Sequence, residues 1–193
     1  MYDGKKNSGI ILKNFDTNRY KYSLFDSSKG KIDSFIKDYK YPIGSLISYT
    51  LQEKNNYFFC LNVQLLYVPF HVDIWFLHLL LELCFYFLND CQPSCLSFDI
   101  LRYVYKNNNC EKQQQKIIIF KLLVSFGLYQ NIEPLSDFIF HYLASESIDT
   151  IFSRTLDLET ENKIKIWIDN VLMDHPYFSN FKTVNYIKKN RLL

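Results

Sequence analysis

The sequence predicts an α+β protein, an N-terminal five-stranded β-barrel followed by an all-α helical domain, and three observations carry that prediction. Residues 8 to 66 read as short strands separated by turn chemistry. After Pro69 the apolar period changes from two to near 3.6, and no strand-like run returns. Hydrophobic residues make up 48% of the 193 and charged residues 22%, the balance of a packed chain, which excludes a disordered class. The change of period places the domain boundary at Phe70, giving a barrel over 1–70 and helices over 71–193.

The strands follow in order as SGIILKN at 8–14, RYKYSLF at 19–25, KIDSFI at 31–36, SLISYTL at 45–51 and YFFCLNVQLL at 57–66. Between them stand Asp16-Thr17-Asn18, then Asp26-Ser27-Ser28-Lys29-Gly30, then Pro42 and Gly44, then Glu53-Lys54-Asn55-Asn56. These residue types form Asx turns, accept positive φ or preset φ, so four hairpin-like links are expected. In the fifth strand Tyr57, Phe59, Leu61, Val63 and Leu65 alternate with Asn62 and Gln64, which assigns the first set to the core. A five-stranded antiparallel sheet removes its edges by curling, and the OB-fold is the commonest such barrel that binds nucleic acid. An SH3-like barrel has a similar strand count, and pattern leaves both open.

Helices are expected at 72–89, 96–107, 113–128, 134–144, 147–154, 160–173 and 179–190, with Gly127 as a C-cap, Pro134 in a first turn and Thr160 at a capped start. The run VDIWFLHLLLELCFYFL at 72–88 approaches spanning length but carries Asp73, His78 and Glu82. Three ionisable groups make it a buried helix and exclude a membrane span. The five cysteines form an odd set behind a polar N-terminal stretch, MYDGKKNSG, so free thiols and a cytoplasmic location are expected.

Catalytic and metal chemistry find no support. Cys91 and Cys95 with Cys110 offer three thiols, but a structural zinc site needs four ligands, commonly as two close pairs. His71, His78, His141 and His175 are scattered, and no GxSxG, Walker loop or GxGxxG is present. The expectation is a non-enzyme with no cofactor, no metal and no catalytic residues.

Charge is the more useful signal. Residues 1–70 hold ten Lys/Arg against six Asp/Glu, whereas 71–193 hold twelve against fourteen, so a polyanion would favour the first part. The candidate DNA-binding residues are Lys13, Arg19, Lys21, Lys29, Lys31, Lys37 and Lys40, on or beside the first three strands. There cations can track phosphates while Tyr20, Tyr22, Phe35, Tyr39 and Tyr41 stack on bases. The competing reading makes the lysines solubilising and the tyrosines structural, and charge pattern alone leaves the two even.

The segment GIILKNFDTNRYKYSLFDSSKGKIDSFIKDYKY adds a further argument through Gly9–Lys13, Leu24-Phe25, Gly30-Lys31-Ile32 and Lys37 with Lys40. In order and spacing it resembles the opening of the RecO family of DNA recombination mediators. KIIIFKLLVSFGLYQNIEPL at 116–135, through Phe120, Leu122-Leu123 and Gly127, is similar to that family's central helix, and 168–187, through Phe181-Lys182-Thr183, to its closing helices. Many RecO proteins carry a four-cysteine zinc module after the central helix, whereas NIEPLSDFIFHYLASES here has no cysteine, which implies a zinc-less variant. The basic loop after Lys37 is also shorter and poorer in arginine. The resemblance implies a bacterial, nucleoid-associated protein that binds single- and double-stranded DNA, promotes annealing and helps load recombinase. Its implied partners are a RecR-like protein and single-strand-binding protein. An OB-fold RNA-binding module and a protein-interaction scaffold are the alternatives.

Overall fold

The structure, a computed structural model, describes residues 6–15, 20–37, 40–107, 110–128, 135–152 and 156–189. Two compact units divide the chain, Met1–Asp99 and Ile100–Leu193. The expected turn at Asp16–Asn18 and the expected helix start at Pro134 lie outside the described residues.

The first unit opens with β1 (Lys6–Asn14), β2 (Lys21–Asp26), β3 (Gly30–Ile36), β4 (Leu46–Lys54) and β5 (Tyr57–Tyr67), close to the strands read from the sequence. They close into a barrel in the order β1-β2-β3-β5-β4, with β1 also paired to β4 and every pair antiparallel except β3 with β5. A barrel closed by a parallel β3–β5 pair is of the OB type, which settles the choice that pattern left open. Ile11, Tyr22, Leu24, Ile32, Ile36, Ile47, Tyr49 and Cys60 fill its interior.

The turns do the work their residue types suggested. Between β2 and β3, Asp26 Oδ1 accepts from the Ser28 and Lys29 backbone N–H groups at 2.7 and 2.8 Å and from Ser28 Oγ at 2.8 Å. Its Oδ2 accepts from the Tyr49 hydroxyl at 2.5 Å and Asn7 Nδ2 at 3.0 Å, so the buried carboxylate pins β1, the turn and β4 together. Burial pushes the Asp26 carboxyl up, but these hydrogen bonds outweigh it and hold the group below its ordinary value. Between β4 and β5, Asn55 and Asn56 both take positive φ, 51° and 63°, the tight two-residue link that sets Lys54 opposite Tyr57.

The fifth strand corrects the sequence reading. Cys60 is the inward residue, while Tyr57 and Leu61 are exposed, so the set assigned to the core lies mostly outside. The cause is a bulge: Ser48 pairs with Gln64 but Thr50 with Leu61, and Asn62 takes a φ of 53°. One extra residue exchanges the faces, so that Val63 packs inward where simple alternation would put a residue of Cys60's parity.

Helix α1 (Ile74–Phe87) begins where the Asp73 side chain accepts from the Phe76 N–H at 2.9 Å. It packs on β1, and Ile10 and Ile11 are both fully buried because β1 is covered on both faces. Phe25, opposite Ile10 on β2, meets Phe98 edge to face at 5.2 Å. The first compact unit therefore runs past Phe70 to Asp99: the change of apolar period marks a change of element, and α1 belongs with the barrel. Gly30, at φ 80°, faces the chain after α1 so closely that a Cβ there would lie 1.8 Å from the Gln92 carbonyl oxygen. Among the described residues no helix is long and apolar enough to cross a membrane.

Helix α2 (Cys95–Lys106) carries the division between the units. The second unit is built on α3 (Lys112–Ser125), in which every residue from Ile117 to Val124 is buried. Around it stand α4 (Asp137–Ser145), α5 (Ile148–Phe152) and α6 (Leu158–Met173), followed by a 3-10 turn (Phe178–Asn180) and α7 (Lys182–Lys189). Phe120 and the fully buried Trp167 meet at 4.8 Å. Lys121 is buried because its ammonium donates to the Ala144 carbonyl at 3.3 Å and the Glu146 carbonyl at 2.5 Å, at the C-terminal end of α4. Helix α6 starts two residues before the expected Thr160, because Asp157 supplies the cap to the Thr160 N–H at 2.8 Å.

Candidate nucleic-acid interface

The outward face of β3, β5 and β4 gathers aromatic rings and cations by register. Lys21 stands opposite Phe35, Phe35 beside Phe59, and Phe59 opposite Gln52, so these four form one row across the sheet. The Phe35 and Phe59 rings lie 5.5 Å apart at 26°, and Tyr57 meets Phe35 at 5.9 Å and 66°. A groove of about 200 Å³ follows this ledge, lined by Phe35, Phe59, Leu61, Lys37, Lys54 and Gln52, with Cys60 at its floor. Among the described residues no carboxylate lines it. The Cys60 thiol lies 3.1 Å from Ser34 Oγ, and burial pushes it up to about 12, so it stays protonated and inert at neutral pH.

The seven candidate cations do not form one set. Lys31 is committed to the fold: its ammonium donates to the Phe85 carbonyl at 3.0 Å and pairs with Asp90 at 3.2 Å. Lys13 sits 4.5 Å from the centroid of the Phe85 ring and 5.2 Å from that of Phe15, so both lysines help to hold the end of α1 on the barrel. Lys21 pairs with Asp33 at 2.8 Å and lies 4.9 Å from the Phe15 ring. Lys29 lies 5.3 Å from the Phe58 ring. Lys37 and Lys40 are exposed, and Lys37 lines the groove. Arg19 lies outside the described residues.

The stacking candidates divide as well. Tyr22 is a core residue with no exposure, and Tyr41 packs against the barrel interior, whereas Tyr20 is exposed and Phe35 lies on the ledge. Tyr39 lies outside the described residues. Sequence reasoning missed Tyr57, Phe59, Lys54 and Gln52, because it assigned the odd-numbered residues of β5 to the core. The available signal was Asn62, a residue tolerant of positive φ in the middle of a strand.

No family model matches the chain, and no curated protein matches it as a relative.

Charge needs restating on the compact unit. Residues 71–99 add Asp73, Glu82, Asp90 and Asp99 and no Lys or Arg, so Met1–Asp99 carries ten cations and ten carboxylates. The excess seen over 1–70 is thus local, and Lys37 and Lys54 at the groove and Lys40 nearby in sequence are exposed, as are Lys6 and Lys13 on β1. Elsewhere among the described residues, no three His, Cys, Asp or Glu side chains converge as metal ligands would. Cys91 and Cys95 are exposed, while Cys84 is buried in α1.

Proposed function

We propose that this chain is a non-enzymatic DNA-binding protein of the recombination-mediator kind that RecO represents, taking single strands along the outward face of β3, β5 and β4. The observation that carries the reading is the ledge of Tyr57, Phe35 and Phe59 bordered by Lys37 and Lys54, with no carboxylate in the groove among the described residues. Stacked bases gain about 1–3 kcal/mol each on such rings regardless of sequence, and the cations meet the phosphates between them. Duplex DNA meets the same cations without the stacking, so it binds more weakly. A RecR-like protein and single-strand-binding protein are the partners this role requires, in a cytoplasmic, nucleoid-associated setting. The role requires no bond-making step and no cofactor.

The test is a titration of labelled oligo-dT across a salt series. Binding should weaken steeply with salt, and Lys37→Glu with Lys54→Glu should lower the slope by about two units, since each lost phosphate contact releases roughly one counterion fewer. Phe59→Ala should weaken binding about 10-fold with the slope unchanged. Absence of binding at low salt would remove the proposal, and equal affinity for the ribose strand would favour an RNA-binding module instead.

A further inference from the structure

Strand β5 is longer than the partner that closes the barrel. Its parallel pairing with β3 covers only Phe58, Phe59 and Cys60, because β3 ends at Ile36, whereas its antiparallel pairing with β4 continues to Tyr67. Over Leu61–Leu66 the second edge of β5 has no ladder partner among the described residues. In a β-strand paired on one side, alternate residues turn their N–H and C=O groups to the other side, so this stretch offers a template for one more strand.

Exposed edges in native sheets are commonly guarded by charge, and this one is not. Leu61-Asn62-Val63-Gln64-Leu65-Leu66 contains no ionisable side chain, and Leu61, Leu65 and Leu66 are each 41% to 53% exposed. Beside the edge lies a groove of about 440 Å³ lined by Ile36, Lys37, Tyr41, Leu61, Asn62 and Val63, with Cys60 between. Among the described residues its one ionised lining group is the Lys37 ammonium, and no carboxylate lines it.

We propose that the Leu61–Leu66 edge takes an extended segment of a protein partner as an added strand, one that carries apolar residues alternating with carboxylates. The backbone supplies affinity through the unpaired edge, while the groove sets side-chain preference. Apolar residues of the segment meet Leu61, Leu65 and Tyr41, and a carboxylate meets Lys37. A second copy of this chain is the poorer occupant, since its own Leu61–Leu66 edge carries no carboxylate to meet Lys37. This inference shares Lys37 and Leu61 with the DNA groove but rests on the β5 edge and not on the aromatic ledge.

The experiment uses the full chain and labelled octapeptides in which Asp or Glu alternates with Leu, Ile or Phe. Two N-methylated series of the best binder, blocking odd or even backbone positions, separate an added strand from simple charge attraction. The expected result is that one series loses binding at least 10-fold while the other keeps it within about threefold. The amides of alternate residues in Leu61–Leu66 should gain hydrogen-exchange protection on binding. Lys37→Glu should reverse the preference from acidic to basic octapeptides in a protein whose circular dichroism is unchanged. The proposal is overturned if no octapeptide binds, if both methylated series bind like the parent, or if protection appears at Phe35 and Phe59 in place of the β5 edge. It is equally overturned if light scattering shows the edge already occupied in a dimer of the chain. Loss of oligo-dT binding with octapeptide binding intact would reject the DNA reading alone.

Discussion

Replacing Tyr49 by Phe removes one atom from the barrel and tests whether the buried Asp26 cluster holds its closure. The Tyr49 hydroxyl donates at 2.5 Å to a carboxylate that is itself fully buried, and Tyr49 is only 1% exposed. A hydrogen bond to a charged group contributes about 1.5–3 kcal/mol, and four other donors remain on Asp26 to keep the charge satisfied. The expected loss is therefore that of one bond, not of an orphaned charge. At 1.36 kcal/mol per factor of ten it corresponds to about 10- to 150-fold faster exchange of the globally protected barrel amides, such as those of Leu24 and Ile32. The pH dependence has a definite sign. A folded carboxyl held below its unfolded value stabilises the fold above that unfolded value, near 4, and the contribution disappears as pH falls toward the folded one. Tyr49→Phe removes one of the bonds that lower Asp26, so the acid-linked loss should be smaller and should be complete at a higher pH than in the parent. Amide exchange read by NMR between pH 3 and 6 measures both effects on this unit alone. Exchange within threefold of the parent, with an acid-linked loss of the same size, would refute the assignment of Asp26 as the pin of the barrel.

Gly30→Ala should destabilise the first unit by about 2–4 kcal/mol, since a Cβ at φ 80° meets the Gln92 carbonyl at 1.8 Å. Gly127→Ala, at φ 84° with nothing within 4 Å, should cost only about 1 kcal/mol, and urea titrations followed by amide exchange compare the two. Lys121→Met should loosen the end of α4 by about 1–3 kcal/mol, because two backbone carbonyls lose their donor, visible as faster exchange at Tyr142 and Leu143. Iodoacetamide at neutral pH should label exposed Cys91 and Cys95 in the folded protein and spare Cys60 and Cys84, whose thiols burial pushes up, as peptide mass spectrometry would show.

The barrel was legible because strand and turn signals are local: Asp26 through Gly30 encode their own turn, and Asn55-Asn56 theirs. Its interface was legible only in part. A bulge at Asn62 moves each neighbouring side chain to the opposite face, and alternation counted through it assigned Phe59 to the core. Lys31 looked like its neighbours Lys29 and Lys37, yet its partners Phe85 and Asp90 are more than fifty positions away, beyond what spacing can reveal. The same distance concealed that α1 belongs with the barrel. Lys37 is exposed because it follows the last residue of β3, whose own end, Ile36, turns into the barrel.

Closure of the barrel by β1 on β4 and β3 on β5 also fixes the order in which it can be made. Strand β1 has β2 on one side and β4 on the other, and β3 waits for β5. During synthesis the β1-β2-β3 meander can form early, with both outer edges open, but Lys6 cannot meet Thr50 nor Ser34 meet Phe58 until β4 and β5 have emerged. Helix α1, which covers β1, emerges later still. Contacts this remote in sequence make folding slower than a helical chain of equal length would need. The nascent barrel therefore exposes its isoleucines and two unpaired edges for as long as translation takes to travel from Ile36 to Phe87, and over that interval it depends most on not meeting another copy of itself.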